Sequence, residues 1–131
     1  MKKPAATLTD GPYEERFTNG ALAVTGAFRN GKRDGEWIYY YRSGGLKAQG
    51  VIKDGEFEGD WQWWRENGQL LQTGSFRASK QVGLWRRYYE NGQLWDEGAY
   101  EDGKKVGEWQ VYDELGARKQ TKTFRAKRPA G

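Results

Sequence analysis

The sequence predicts an all-β protein: an elongated, single-layer antiparallel meander of about ten strands, built from five 24-residue β-hairpin repeats. Three observations carry that expectation. First, glycine returns every 24 residues, at Gly11, Gly35, Gly59, Gly83 and Gly107, at Gly20, Gly44, Gly68, Gly92 and Gly116, and at Gly26, Gly50, Gly74 and Gly98. Second, Tyr13, Trp37, Trp61, Trp85 and Trp109 each follow a glycine of the first ladder by two positions. Third, Asn19-Gly20, Ser43-Gly44, Asn67-Gly68 and Asn91-Gly92 punctuate successive hydrophobic runs, and Asn-Gly there is a strong hairpin signal. A fixed period of this length marks stacked repeats. No helical periodicity survives so much glycine.

Taken in order, residues 1–10 form an N-terminal flexible segment, and the array occupies 11–124 with units starting at 11, 35, 59, 83 and 107. Residues 125–131 form a basic tail. With the first-ladder glycine numbered 1, each unit reads G-x-W-x-x-[YW]-x-x-[NS]-G-x-L-x-x-x-G-x-[FYI]-x-x-G-x-x-x. A two-residue type I′ turn at positions 9 and 10 pairs position 3 with 16 and position 1 with 18, and directly paired residues share a face. Gly50 is then expected between Trp37 and Trp61, and Gly74 between Trp61 and Trp85, so that rings lie over bare glycine backbone. The same register puts Leu22, Leu46, Leu70 and Leu94 on the tryptophan face. It puts Tyr40, Trp64, Tyr88 and Tyr112 on the other, joined by Leu71 and Trp95 at position 13. The stretches between units, such as 29–34, are expected to form looser turns.

At 131 residues there is room for one domain. Leu, Ile, Val and Phe number only 20, but seven Trp and eight Tyr supply the missing apolar surface. There is no cysteine and no histidine, which removes thiol chemistry, the commonest general base and the usual soft metal ligands. Glu66, Glu90 and Glu114 recur at position 8, where they read as a solvated ladder beside a turn and not as the paired carboxylates of a glycosidase. No glycine-rich stretch matches a phosphate loop. No catalytic residue, metal ligand or cofactor is therefore expected, and the chain is read as a non-enzyme. The formal net charge of +4 divides into −2 over residues 1–117 and +6 over 118–131, so no specific nucleic-acid partner is expected of the array. No apolar run reaches the length of a membrane helix, residues 1–10 lack the apolar core of a signal peptide, and a cytoplasmic location is expected.

The stretch Gly83-Leu84-Trp85-Arg86-Arg87-Tyr88-Tyr89-Glu90-Asn91-Gly92-Gln93-Leu94 resembles the bacterial MORN-repeat variant, a family that includes YwqK-type proteins labelled toxin–antitoxin system antitoxins. The resemblance covers residues 11–124 and departs at the ends, with Tyr13 for Trp in unit one and Arg118 for Leu and Lys122 for Gly in unit five. Atypical terminal units suit capping repeats. The resemblance implies a repeat sheet that binds a protein, as an antitoxin or immunity-type protein binds a toxin.

Three ligand classes fit the residues. A protein partner is favoured, docked on an aromatic face or added along an open edge strand, and such edges also invite self-association. Aromatic platforms suit a carbohydrate or choline-bearing cell-wall ligand. The loop residues Lys32, Arg33, Arg77, Lys80, Lys104 and Lys105 suit anionic phospholipid, although interspersed acids dilute that field and a membrane is not the expected partner. Trp37, Trp61, Trp85, Trp109, Gly50 and Gly74 recur with the repeat and are assigned to structure. Partner binding is assigned to aromatics and arginines beyond the consensus: Tyr39, Tyr41, Trp63, Arg65, Arg87, Tyr89 and Trp95.

Overall fold

A computed structural model describes residues 10–125, so the segment 1–10 and the tail 125–131, apart from Asp10 and Arg125, lie outside the described residues. Alternating polar and apolar side chains between turns, most of which contain glycine, produce strands throughout. They are β1 (Gly11–Arg16), β2 (Leu22–Arg29), β3 (Lys32–Arg33), β4 (Gly35–Tyr40), β5 (Leu46–Lys53), β6 (Glu56–Trp64), β7 (Leu70–Arg77), β8 (Lys80–Tyr88), β9 (Leu94–Glu101), β10 (Lys104–Tyr112) and β11 (Arg118–Phe124). They form one open antiparallel sheet in the order β1-β2-β4-β5-β6-β7-β8-β9-β10-β11, with β3 paired to β2. β3 and β4 together correspond to the single strands β6, β8 and β10, so the meander has the ten rungs that the sequence predicts.

The register over most of each hairpin is the expected one: Trp37 pairs with Gly50, Trp61 with Gly74 and Trp85 with Gly98. The ring that covers each of these glycines belongs to the following unit. A Cβ on Gly50 would stand 2.0 Å from Trp61, one on Gly74 2.0 Å from Trp85, and one on Gly98 2.2 Å from Trp109. The ladder slips by two residues at this point: Val51 pairs with Glu58 but Gln49 with Gln62, so Gly59, Asp60 and Trp61 face Gly50 alone. Gly59 opens that bulge at φ +65°, a left-handed conformation that glycine adopts without a Cβ clash. Each indole then lies flat across the partner strand, and its N–H donates to a carbonyl there: Trp61 to Val51 at 3.1 Å, Trp85 to Ser75 at 3.1 Å and Trp109 to Ala99 at 3.1 Å. Trp37 is the exception, its Nε1 buried without a partner.

The two kinds of turn are exchanged relative to expectation. At the Asn-Gly and Ser-Gly sites, Gly44 N–H donates to Tyr41 O and Tyr41 N–H donates to Gly45 O, which closes a three-residue loop and leaves only the glycine at positive φ. The asparagines there have ordinary φ, and their side chains accept from the backbone two residues on and donate to the next unit. Asn91 accepts from Gln93 N–H at 2.9 Å and donates to Glu114 O at 3.0 Å. The tight turns with two consecutive positive φ values are instead Asn30-Gly31, Asp54-Gly55, Ala78-Ser79 and Asp102-Gly103, in the stretches expected to be loose.

The three-residue loop also adds a bulge, with a consequence for the faces. Tyr39 pairs with Ala48 but Tyr40 with Leu46, and the shift recurs at Trp64–Leu70 and Tyr88–Leu94. Leu46, Leu70 and Leu94 therefore lie on the face opposite the tryptophans, beside Tyr40, Trp64 and Tyr88, which corrects the expected leucine stripe. Trp95 moves the other way, onto the tryptophan face, where it stacks on Tyr89.

The tryptophan face is the core. Trp37 is fully buried, Trp61 is 2% exposed, and Trp85 and Trp109 are 4% exposed. Around Trp37 and Trp61 pack Ala48, Ile52, Tyr13, Val24, Phe28, Tyr39, Phe57, Trp63 and Phe76. Among the described residues no second layer covers these rings; they bury one another, Phe28 against Trp37 and Phe76 against Trp61 and Trp85 edge to face, Phe57 and Trp63 stacked on Trp61. Each indole removes on the order of 150–250 Å² from water, about 4–6 kcal/mol as an upper bound.

Candidate functional site

Position 5 of each unit lies two residues past the consensus tryptophan and so shares its face, and position 14 is its ladder partner. In units two and three these pairs are Tyr39–Ala48 and Trp63–Gln72; in unit four the pair is Arg87–Asp96. The Trp63 ring occupies a triangle of rings, with centroids 6.0 Å from Trp61, 6.1 Å from Phe76 and 5.6 Å from Trp85. One unit further on, Trp85, Tyr100 and Trp109 make the same triangle.

Arg87 does not fill that triangle. Its guanidinium turns to Asp96, with Nη2 donating to Oδ2 at 2.8 Å and Nε to Oδ1 at 3.3 Å. It also lies 3.6 Å above the Trp95 ring, and Trp95 stacks on Tyr89 with centroids 5.0 Å apart at 14°. A planar guanidinium suits both contacts, a two-point ion pair and an aromatic face. The Asp96 side chain is 10% exposed and that of Arg87 is 40% exposed, so this pair is held away from bulk water on one side only. Between Trp85 and Trp109 a cavity of about 110 Å³ remains, lined by Gln72, Arg87, Asp96, Tyr100 and Lys105 together with the two indoles. Lys105 stands at its rim with Nζ 4.6 Å over Trp109.

The structure distributes the sequence-predicted residues between two kinds of environment. Tyr41, Arg65 and Tyr89, all at position 7, each donate to the main chain of the next unit: Tyr41 Oη to Trp64 O at 2.7 Å, Arg65 Nη2 to Tyr88 O at 3.0 Å, and Tyr89 Oη to Tyr112 O at 2.7 Å. Their polar ends thus tie neighbouring units. Burial raises the pKa of the Tyr89 phenol, and the Glu114, Asp113 and Asp96 carboxylates add to that shift against the opposing effect of Arg87. Tyr39 packs against Trp37 and accepts a hydrogen bond from Arg33 at 3.2 Å. Arg87, Tyr89 and Trp95 come together as one cluster, and Trp63 lies one unit before it. Asp96, Tyr100 and Gln72 are absent from the residues that the sequence singles out, and Lys105 figures among them only as a loop residue suited to anionic phospholipid. The signal was there, since Arg87 and Asp96 break the pattern at two positions that the hairpin register pairs directly.

On the opposite face a polar row includes Arg86 and Glu97, whose ion pair at 2.9 Å raises the arginine pKa through that hydrogen bond. Along the turn edge, acids are engaged as backbone acceptors: Asp34 from Asp54 N–H, Glu58 from Ala78 N–H, and Asp10 from Gly31 N–H. Lys80 pairs with Asp102 at 3.6 Å. The basic loop residues are thus interleaved with acids that the fold itself requires, which weakens any anion-binding field there. Among the described residues, no group of three or more His, Cys, Asp or Glu is placed to hold a metal ion. No helix of the described residues is long and apolar enough to cross a membrane.

The MORN repeat variant family matches residues 33–54, 57–78 and 81–104, just over half of the chain, and the chain belongs to that family. MORN repeats are protein- or membrane-binding modules without enzymatic activity of their own. No curated protein sequence matches. Two solved structures are similar in part. One, titled "Crystal Structure of TarM", is 11% identical with a TM-score of 0.35 over 84% of this chain and 19% of that one. The other, titled "Crystal structure of GtfA/B complex bound to UDP and GlcNAc", is 13% identical with a TM-score of 0.31 over 92% of this chain and 26% of that one. The chain thus spans about a quarter or less of each.

Proposed function

We propose that this chain is a non-catalytic protein-binding module of the antitoxin or immunity kind, and that its protein partner, a toxin in that reading, docks on the tryptophan face at units three to five. The observation that supports it best is the Arg87–Asp96–Trp95–Tyr89 cluster with Trp63 beside it. These side chains add arginine and aromatic surface beyond what the repeat requires, on the face where a cavity also opens. Arginine, tryptophan and tyrosine are enriched at binding hot spots, and the two aromatics carry large contact area at low entropic cost. Docking along an edge strand is the weaker mode. β1 carries Pro12, Glu14 and Glu15, and β11 carries Arg118, Lys119 and Lys122, residue types that blunt strand addition.

Affinity capture from the native cell tests the reading. Bait carrying Trp95→Ala with Lys105→Glu should lose a partner that wild-type bait retains, while bait carrying Leu84→Arg on the opposite face should keep it. Loss with Leu84→Arg alone would move the interface to the other face. Retention of purified glycans with no protein captured would replace a protein partner by a carbohydrate.

A further inference from the structure

Unit four lacks the ring that fills unit three, and its walls remain. Trp61, Phe76 and Trp85 enclose the Trp63 indole at centroid distances of 5.6–6.1 Å. The corresponding Trp85, Tyr100 and Trp109 enclose a half-open cavity of about 110 Å³, because Arg87 has been drawn aside by Asp96 and Trp95. From these facts we infer that the cavity is a receptor for a single aromatic side chain of the partner, which inserts between Trp85 and Trp109 as Trp63 does one unit earlier. The inference rests on the protein-binding reading and adds the chemistry of the residue that binds.

Size, shape and charge each support this occupant. A cavity of about 150 Å³ accepts a whole benzene ring, so 110 Å³ open on one side accepts a phenyl or indole ring inserted edge-first in part. The surrounding rings offer the face and edge contacts that aromatic groups prefer at such separations. A saturated sugar would present hydroxyls to these walls. Among the charged lining residues, Arg87 pairs with Asp96 and Arg86 with Glu97, which leaves exposed Lys105 at the rim as the uncompensated charge. The inserted ring is therefore flanked by an acidic residue in the partner's sequence, within reach of Lys105. The same position holds Arg33, Phe57 and Gln81 in units one to three, so a cation at this rim is no demand of the repeat.

The test copies unit three into unit four. In the double variant Arg87→Trp with Asp96→Gln, the new indole fills the cavity as Trp63 does, opposite a glutamine as Trp63 is opposite Gln72. It is expected to fold, since that packing already exists in the same chain. The probe is the acetylated, amidated tripeptide Asp-(4-fluorophenylalanine)-Glu, followed by fluorine NMR titration against full-length protein. Wild type should shift and broaden the fluorine signal, saturably. The double variant should abolish the response, and Lys105→Gln should weaken it about tenfold while reducing the advantage of the acidic probe over its Asn/Gln counterpart, a difference of roughly one charge-assisted contact. No saturable response from wild type, or an equal response from the folded double variant, overturns the inference, as does competition by oligosaccharide but not by aromatic peptide. The two levels fail separately. A native partner captured equally by wild type and by the double variant would remove the cavity from the interface and leave the protein-binding reading intact. Absence of any captured protein would remove that reading itself.

Discussion

Units three and four share one backbone and differ in what fills it. In unit three, Trp63 sits among Trp61, Phe76 and Trp85, and its ladder partner Gln72 carries no charge. In unit four the same two positions hold Arg87 and Asp96, the ring triangle is empty, and the cation is stacked sideways on Trp95. The difference teaches that a repeat fixes its scaffold with few positions, the tryptophan, the glycine beneath it and the turn glycines. Position 5 and its partner can then change from packing to recognition without a new fold.

The largest effect should come from the glycine under the ring, and it should differ between the ring triangle that Trp63 fills and the one that stays open beside Trp109. Gly50→Val places a branched side chain against Trp61, which Trp63 and Phe57 hold from the sides, and a cost above about 3 kcal/mol is expected. Gly98→Val meets Trp109, whose neighbouring cavity gives the ring somewhere to move, so the cost should be smaller by about 1 kcal/mol. Urea unfolding of both variants measures the difference. Equal costs would mean that the cavity does not relieve packing.

Next comes removal of the side chains that distinguish the units. Trp63→Ala deletes a half-buried indole in contact with three rings and should cost about 2–4 kcal/mol. Arg87→Ala leaves the Asp96 carboxylate without its partner; with the guanidinium 40% exposed the pair is partly screened, and about 1–2 kcal/mol is expected. The double change of Arg87→Trp with Asp96→Gln should be neutral or stabilising by about 1 kcal/mol, because well-packed apolar groups commonly replace an ion pair without loss. A thermal melt several degrees below wild type would show that the unit-three packing does not transfer.

These contrasts also mark what the sequence could reveal. The 24-residue ladders were enough for sheet, topology and the Trp37–Gly50 type of pairing, because close approach of ring to backbone admits only glycine. The turns were less legible. Asn-Gly and Asp-Gly occur at both ends of the hairpins, and a dipeptide alone does not say whether its loop has two residues or three. That choice depends on the strand register, which only the whole sheet decides. Misplacing it by one residue sent Leu46, Leu70, Leu94 and Trp95 to the wrong faces, since side chains alternate with period two. The members of the candidate site were visible as departures from the repeat, but the meeting of Arg87 with Trp95 depended on the bulge. The cavity depended on which way Arg87 turned.

The smallest expected effect lies in the tight turns that follow the two units. After unit four the turn is Asp102-Gly103, with φ of 52° and 86°. Before it, closing unit three, the turn is Ala78-Ser79 with φ of 48° and 66°, where neither residue favours the left-handed region. Both backbone N–H groups are used there, Ala78 donating to Glu58 Oε1 at 2.9 Å and Ser79 to Phe57 O at 3.0 Å, and Ser79 Oγ accepts from Phe57 N–H at 3.0 Å. Ser79 thus has a side-chain role to lose, whereas Ala78 has none. Ala78→Asn keeps the N–H bond and supplies the residue that Asn30 provides at the equivalent turn, so stability should rise by about 0.5 kcal/mol. Ser79→Gly relieves the other φ but surrenders its hydroxyl acceptor, and the two should nearly cancel. Urea midpoints measured side by side decide it: a clear gain from Ser79→Gly with none from Ala78→Asn would place the strain of unit three in the second turn residue instead of the first.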